Sequence, residues 1–158
     1  MMDEINNAVL EGFEEVWQRV RGQSPAPRRD DAQMLRRLIE QTAEAAAFEQ
    51  SLARRCAGAA RRLRALADET CARLRRLQAA YFLQTGDTLA PGRSCPVAGS
   101  VLGDLRRACL SAQERAACAR DAAGCTRSEP LAALFADLAE EETMHSEALR
   151  ALIAAALG

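Results

Sequence analysis

Lysine is absent from the sequence, histidine occurs once, and aromatic residues make up 4% of the chain. No Gly-rich phosphate loop, Ser-His-Asp set or repeated zinc-ligand spacing occurs, so acid–base catalysis would have to pass through His145 or a carboxylate. No apolar run approaches the ~20 residues of a membrane span, because Arg or Glu interrupts even the Ala-rich segments. The acidic start of the chain lacks the basic residues and the apolar stretch of a secretory signal. We therefore expect a cytoplasmic protein without a membrane partner.

Hydrophobic residues, mainly alanine and leucine, make up 49% of the 158 residues. Alanine and leucine favour helix, whereas the β-branched and aromatic residues that favour strands are few. A chain of this length forms a single domain and buries about two-thirds of its unfolded surface. The formal net charge of −1 provides no overall field that would attract nucleic acid or an anionic membrane. The composition predicts an all-α protein.

Six cysteines are spread along the chain, and none belongs to a Cys-x-x-Cys motif. Most fall within helical patterns, where a thiol behaves as a small apolar residue, and the expected compartment is reducing. We predict buried, inert thiols, with metal binding or redox sensing as the alternative. The six are Cys56, Cys71, Cys95, Cys109, Cys118 and Cys125.

Residues 1–29 are predicted to form an N-terminal helix and a linker. Between residues 3 and 21, an apolar stripe that includes Phe13, Val16 and Trp17 repeats with a helical period opposite a charged side. Two prolines in residues 22–28 break this helix. The stripe has to be covered by the rest of this chain or by a second copy, and the linker permits both. Of these partners we favour the second copy, which would make the protein a homodimer.

Residues 30–158 are predicted to form a bundle of four amphipathic helices. Asp30 or Asp31 can cap the first helix, Gly58 offers a break after it, and Gly86 suits the left-handed position past the end of the second. Ser128 is the predicted N-cap of the last helix, with Pro130 in its first turn. The predicted ranges are about 31–57, 60–84 and 101–124, followed by a helix that starts near residue 130. The connections between them are short, long and short, which is the topology of two helical hairpins joined by a crossover.

The only histidine, His145, follows Glu142 by three residues in the last helix. Residues three apart lie on one helical face, so this carboxylate and this imidazole can converge on one metal ion. A lone Glu-x-x-His on a charged helix is common by chance. The bundle topology raises the odds that this pair is the remnant of a metal site.

With these features the chain resembles the rubrerythrin-like branch of the ferritin-like superfamily over about residues 31 to 155. The resemblance lies in the topology and in two runs, LQAAYFLQTG at residues 77–86 and the more specific LFADLAEEETMH at residues 134–145. It implies a four-helix bundle with a pair of iron or manganese ions between the hairpins. In the family, the first and third helices each provide one Glu, and the second and fourth each provide a Glu-x-x-His.

Only part of the family's set of metal ligands has a matching residue in this sequence. Glu142 and His145 match the fourth helix. On the second helix, Thr70 falls at the Glu position and Arg73 at the His position. A register shifted by one would place Glu69 at the carboxylate position, but it would still lack the histidine.

The ligand positions on the first and third helices are also substituted. On the first helix the family's Glu falls at Thr42, with Glu49 where an aromatic residue is expected. On the third it falls at Ser111, with Cys118 in place of the aromatic, and Glu114 one turn away is a weak alternative if it turns inward. The resemblance therefore implies a degenerate di-metal site.

Arginine at the lost histidine position suggests a specific replacement. A buried carboxylate without a cation is costly, and a guanidinium supplies both charge and bidentate hydrogen bonds. We predict that Arg73 replaces the metal as the partner of Glu142.

Three functions remain open at this stage. The first is a non-catalytic structural or interaction protein without a cofactor. The second is an oxidoreductase in oxidative-stress defence that holds one iron, manganese or zinc ion through Glu142, His145 and auxiliary ligands. The third, a nucleic-acid-binding bundle, is disfavoured by the net charge and by the lack of aromatics among the arginines. Those arginines are Arg54, Arg55, Arg61, Arg62, Arg64, Arg75 and Arg76.

Overall fold

A computed structural model of the protein describes residues 29–92 and 98–158. Within these residues all regular structure is helical, as the composition predicts. Four long helices pack together, and a short 3-10 helix, Ala57–Ala59, joins the first two. The long helices are α1 (Arg29–Arg55), α2 (Ala60–Thr85), α3 (Val101–Cys125) and α4 (Glu129–Leu157). The predicted N-terminal helix lies outside the described residues.

The helix ends follow local sequence signals. Gly86 adopts φ = 76° past the end of α2, and its N–H donates to the carbonyl of Phe82. This left-handed conformation costs a residue with a Cβ atom about 1–2 kcal/mol. Ser128 is the N-cap of α4, and its hydroxyl accepts a hydrogen bond from the N–H of Leu131. The predictions for Gly86 and Ser128 are confirmed.

The start of α1 differs from the prediction. The helix begins at Arg29, so Asp30 and Asp31 lie inside its first turn and neither is the N-cap. Acidic residues in a first turn still interact favourably with the helix dipole.

Two apolar clusters fill the core, one at each end of the bundle. The first contains Leu35 of α1, Leu77 of α2, Ala122 of α3 and Phe135 of α4. It therefore joins the beginnings of α1 and α4 to the ends of α2 and α3. The second cluster joins the opposite halves of the same helices. Consequently α1 and α4 run in one direction, and α2 and α3 run in the other.

Because α2 and α3 run in the same direction, residues 86–100 have to connect opposite ends of the bundle. A helix of the length of α2 is about 39 Å long, and a connection of this size can span about 50 Å. The long connection therefore covers the required distance, whereas a tight turn would not.

The four helices do not pack equally closely. Packing is most extensive within the two hairpins, α1 with α2 and α3 with α4, and α1 also contacts α3. The α2–α4 pair makes far less contact, which leaves a groove between these two helices. No helix in the described parts of the chain has the length and apolarity needed to cross a bilayer.

The described cysteines are all free thiols, but they are not all buried as predicted. Cys109 is buried and donates to the carbonyl of Ser146, Cys118 is partly buried, and Cys125 is exposed. Burial raises the pKa of the Cys118 thiol, which favours the unreactive protonated form. The prediction of burial is wrong for Cys125, because it falls at the last residue of α3, where the helix leaves the core.

Candidate functional site

A layer of buried polar side chains contributed by all four helices connects the helices at mid-bundle. These side chains form one connected set of hydrogen bonds and ion pairs, which we call the polar layer. Its members are Glu49, Thr70, Arg73, Arg115, Glu142 and His145, each no more than 3% exposed. Ser111 at its edge is partly buried.

Glu142 of α4 is held by two arginines. Arg115 of α3 binds it in a bidentate manner, with Nε 3.0 Å from Oε1 and Nη2 2.9 Å from Oε2. Arg73 of α2 donates from Nε to Oε1 at 3.1 Å. The predicted contact between Arg73 and Glu142 is therefore present, and Arg115 adds a second guanidinium that the sequence analysis did not foresee.

The hydrogen bonds of His145 define its tautomer. Nδ1 lies 3.1 Å from Nη2 of Arg73, and because a guanidinium can only donate, Nδ1 must accept. The ring proton is then on Nε2, which donates to Oε1 of Glu49 across 2.6 Å. In this arrangement His145 is a neutral imidazole.

Glu49 of α1 completes the polar layer. Its Oε2 accepts a hydrogen bond of 2.8 Å from the hydroxyl of Thr70, and its Oε1 lies 4.0 Å from Nη2 of Arg115. The charged side chains and the imidazole thus form a closed ring, in which each neighbouring pair joins opposite charges or a hydrogen-bond donor and an acceptor. In order around the ring they are Glu49, His145, Arg73, Glu142 and Arg115. Two carboxylates and two guanidinium groups give this ring no net charge when the imidazole is neutral.

The environment of Glu142 keeps it ionised. Burial alone would raise its pKa, but the charge and hydrogen bonds of Arg115, together with the charge of Arg73, outweigh burial and lower the pKa below its ordinary value. A carboxylate taken out of water needs such compensation, because an unpaired buried charge is very costly.

The donor set does not suit a pair of metal ions. Both oxygens of Glu142 already accept from guanidinium groups, and the two ring nitrogens of His145 are engaged by Arg73 and Glu49. A cation placed here would also face the positive charges of Arg73 and Arg115. Within residues 29–92 and 98–158, no three His, Cys, Asp or Glu side chains are grouped so that they could hold a metal ion.

The structure brings together some of the predicted site residues and separates others. Thr70, Arg73, Glu142 and His145 all belong to the polar layer. Glu69 is exposed on α2, because it lies about 100° around the helix from Thr70. Glu114 of α3 is also exposed and does not turn inward.

The substituted positions on α1 and α3 behave differently from each other. Thr42 is buried at 2% exposure but lies about two turns before Glu49 and outside the polar layer. The hydroxyl of Ser111 accepts a 2.7 Å hydrogen bond from Nη1 of Arg115. Ser111 therefore supports the layer through Arg115.

Two members of the polar layer, Arg115 and Glu49, have signals in the sequence that could have identified them. Arg115 lies three residues after Ala112 and four before Ala119, which are both on the apolar stripe of α3. A charged residue at such a position faces the core. Glu49 interrupts the apolar stripe of α1 in the same way.

Two of the seven arginines considered for nucleic-acid binding form ion pairs. Arg55 pairs with Asp104, and Arg76 pairs with Glu141 on the neighbouring helix α4. Others, such as Arg61, are exposed on α2. Solvated, partly paired charges on a helix face are the ordinary explanation for such a pattern.

No protein-family model matches this chain, and no curated protein or solved structure is similar enough to match it.

Proposed function

We propose that this chain is a non-catalytic, ferritin-like bundle protein in which an ion-pair layer stands where the family has its di-metal centre. It would act in the cytoplasm as a structural or interaction protein through its surface. The observation that carries this proposal is the bidentate bond from Arg115 to Glu142, with Arg73 on the same carboxylate. Guanidinium groups thereby supply the positive charge that the ions would supply.

The placement of the polar layer on the four helices supports the ferritin-like relationship. The helices α1 and α3 each contribute one charged residue, Glu49 and Arg115. The helices α2 and α4 each contribute a pair spaced by three, Thr70 with Arg73 and Glu142 with His145. The ligands of di-metal bundles are distributed over their four helices in the same way, with single residues on two helices and pairs spaced by three on the other two. The parallel direction of α2 and α3 with a long crossover is also a feature of ferritin-like folds.

The chemistry of the layer favours a structural role over catalysis. A general base or a metal ligand needs a lone pair that is free to react. Glu142 already accepts three hydrogen bonds from two guanidinium groups, and both ring nitrogens of His145 are engaged in hydrogen bonds. A fully satisfied buried network instead specifies one arrangement of the helices.

Metal analysis tests this proposal directly. Protein purified without chelator and without nickel resin is analysed for iron, manganese and zinc, beside the His145→Ala variant. We expect far less than one ion per chain in both proteins. Stoichiometric metal in the wild type that disappears in His145→Ala would overturn the proposal and favour the metal-dependent oxidoreductase. A Glu69→Ala variant, changed on the exposed face of α2, controls for ions bound at the surface.

A further inference from the structure

The groove between α2 and α4 is lined in part by Arg73 and His145 of the polar layer. It encloses about 510 Å³, and Leu66, Ala72, Met144 and Ala148 supply its apolar walls. Arg76 and Glu141 pair across it at the surface. Helix pairs elsewhere in the bundle close on each other, whereas α2 and α4 scarcely touch.

Large apolar side chains remain exposed along this groove. Met144, on its α4 wall, is 69% exposed. Leu83 is 82% exposed and lies seven residues after Arg76, so it continues the same face of α2 towards the end of that helix. Covering Met144 and Leu83 would remove exposed apolar surface from water, which is favourable.

The dimensions of the groove fit residues 3–21. The apolar stripe of that segment runs from Ile5 to Val20, about 22 Å as a helix, and the groove face from Leu66 to Leu83 is about 26 Å long. Residues 22–28 can span up to about 25 Å. The groove lies roughly two interhelical distances, of about 8–10 Å each, from the start of α1. The segment can therefore reach the groove of its own chain.

Charge favours the same placement and gives it a direction. Since α1 starts at the end of the bundle where α2 finishes, Val20 would lie near Leu83 and Ile5 near the beginning of α2. The first half of the segment carries only acidic charges, and the beginning of α2 is rich in arginine. In this placement Asp3 and Glu4 are the acids nearest the arginines, which are Arg61, Arg62 and Arg64. Arg62 precedes Glu69 by seven residues and so lies on the groove face.

We propose that residues 3–21 dock as an amphipathic helix in the α2–α4 groove of the same chain. The apolar stripe covers Met144 and Leu83, and Asp3 and Glu4 pair with the arginines at the beginning of α2. The bundle then has a fifth helix, which covers the groove beside Arg73 and His145. This inference does not depend on whether the polar layer descends from a metal site.

Trp17 provides a direct test, because it is the only tryptophan in the chain and lies in the docking segment. Its emission wavelength and its quenching by acrylamide are measured in the full chain. Two groove variants, Met144→Glu and Leu83→Glu, are compared with Leu110→Glu, which replaces a 59% exposed leucine on α3 away from the groove. Circular dichroism establishes that each variant is helical.

We expect Trp17 of the wild type to be protected from acrylamide, with emission that is independent of protein concentration. Each groove variant should shift the emission to the red and increase quenching severalfold, whereas Leu110→Glu should leave both unchanged. Free accessibility of Trp17 in the wild type would overturn the proposal. So would protection that disappears on dilution, which would indicate a second copy as the partner, or groove variants that behave like Leu110→Glu.

Discussion

Arg115 is the residue whose replacement should be most damaging. Its guanidinium is 2% exposed and contacts Glu142, Ser111 and Glu49. A methionine of similar length would fill the space but leave Glu142 with a single cation. Removing one partner of a buried ion pair costs about 3–5 kcal/mol, because the remaining charge is poorly compensated.

We therefore expect Arg115→Met to lower the free energy of unfolding by about 3–5 kcal/mol in urea titrations. Arg115→Lys should have an intermediate effect, because it keeps the charge but loses the bidentate geometry. Arg106→Met, an exposed site on the same helix, should change stability by less than about 0.5 kcal/mol. Equal effects at positions 115 and 106 would contradict the structure of the polar layer.

The lowered pKa of Glu142 predicts a loss of stability in acid. Because the pKa is lower in the folded state than in the unfolded state, the unfolded chain binds the proton more tightly. The stabilising contribution is complete above the unfolded value of about 4.3 and is lost as the pH falls through the folded value. Urea unfolding at neutral pH and at about pH 3 should show a wild-type advantage over Glu142→Gln that shrinks in acid. Glu140→Gln, on the exposed face of α4, should show no such change.

At the scale of the elements, the sequence predicts the helices better than it predicts the contacts of the polar layer. Periodicity and caps locate α2, α3 and α4 to within a few residues, since the signals at Gly86 and Ser128 are local. The start of α1 was predicted about two residues too late, because two adjacent aspartates resemble N-caps although both are helical. Glu49 and Arg115 meet only after two hairpins have packed, and no local pattern encodes which buried charges become neighbours.

The left-handed glycine at the end of α2 gives a prediction at this scale. Gly86→Ala should destabilise the protein by about 1–2 kcal/mol, because φ = 76° is unfavourable for alanine. Gly124→Ala, near the end of α3, has open space around its Cβ position and no positive φ, so it should be neutral or stabilising by up to about 1 kcal/mol. Thermal unfolding of both variants checks this contrast. A stabilising effect at position 86 would mean that the helix does not end there.

For the whole molecule, the degenerate-site proposal predicts that a metal centre can be rebuilt. The variant Thr70→Glu/Arg73→His/Arg115→Glu places a Glu-x-x-His on α2 and a glutamate on α3, beside the existing Glu49, Glu142 and His145. This completes the ligand pattern of a di-metal bundle. Four buried carboxylates without cations should unfold the protein, and metal binding to the folded state should restore it.

We expect the triple variant to bind about two divalent ions per chain, and its thermal unfolding temperature to rise with added manganese or ferrous iron. Adding His145→Ala to the triple variant should weaken the effect. The wild type should show no such metal-dependent rise. A triple variant that stays unfolded in the presence of either metal would argue against a ferritin-like origin of the polar layer.

The distribution of charges between the two hairpins bears on how the bundle assembles. The α3–α4 hairpin contains the Arg115–Glu142 pair, and the α1–α2 hairpin contains Glu49 and Arg73, linked through Thr70. Within the polar layer, each hairpin thus carries one carboxylate and one guanidinium group. When the hairpins associate, contacts of the polar layer form between His145 and Glu49, between Arg73 and both Glu142 and His145, and between Arg115 and Glu49. Outside the layer, Arg55 of α1 pairs with Asp104 of α3 at the same step. The two hairpins can therefore form one after the other during folding, with the polar-layer charges of each hairpin already balanced.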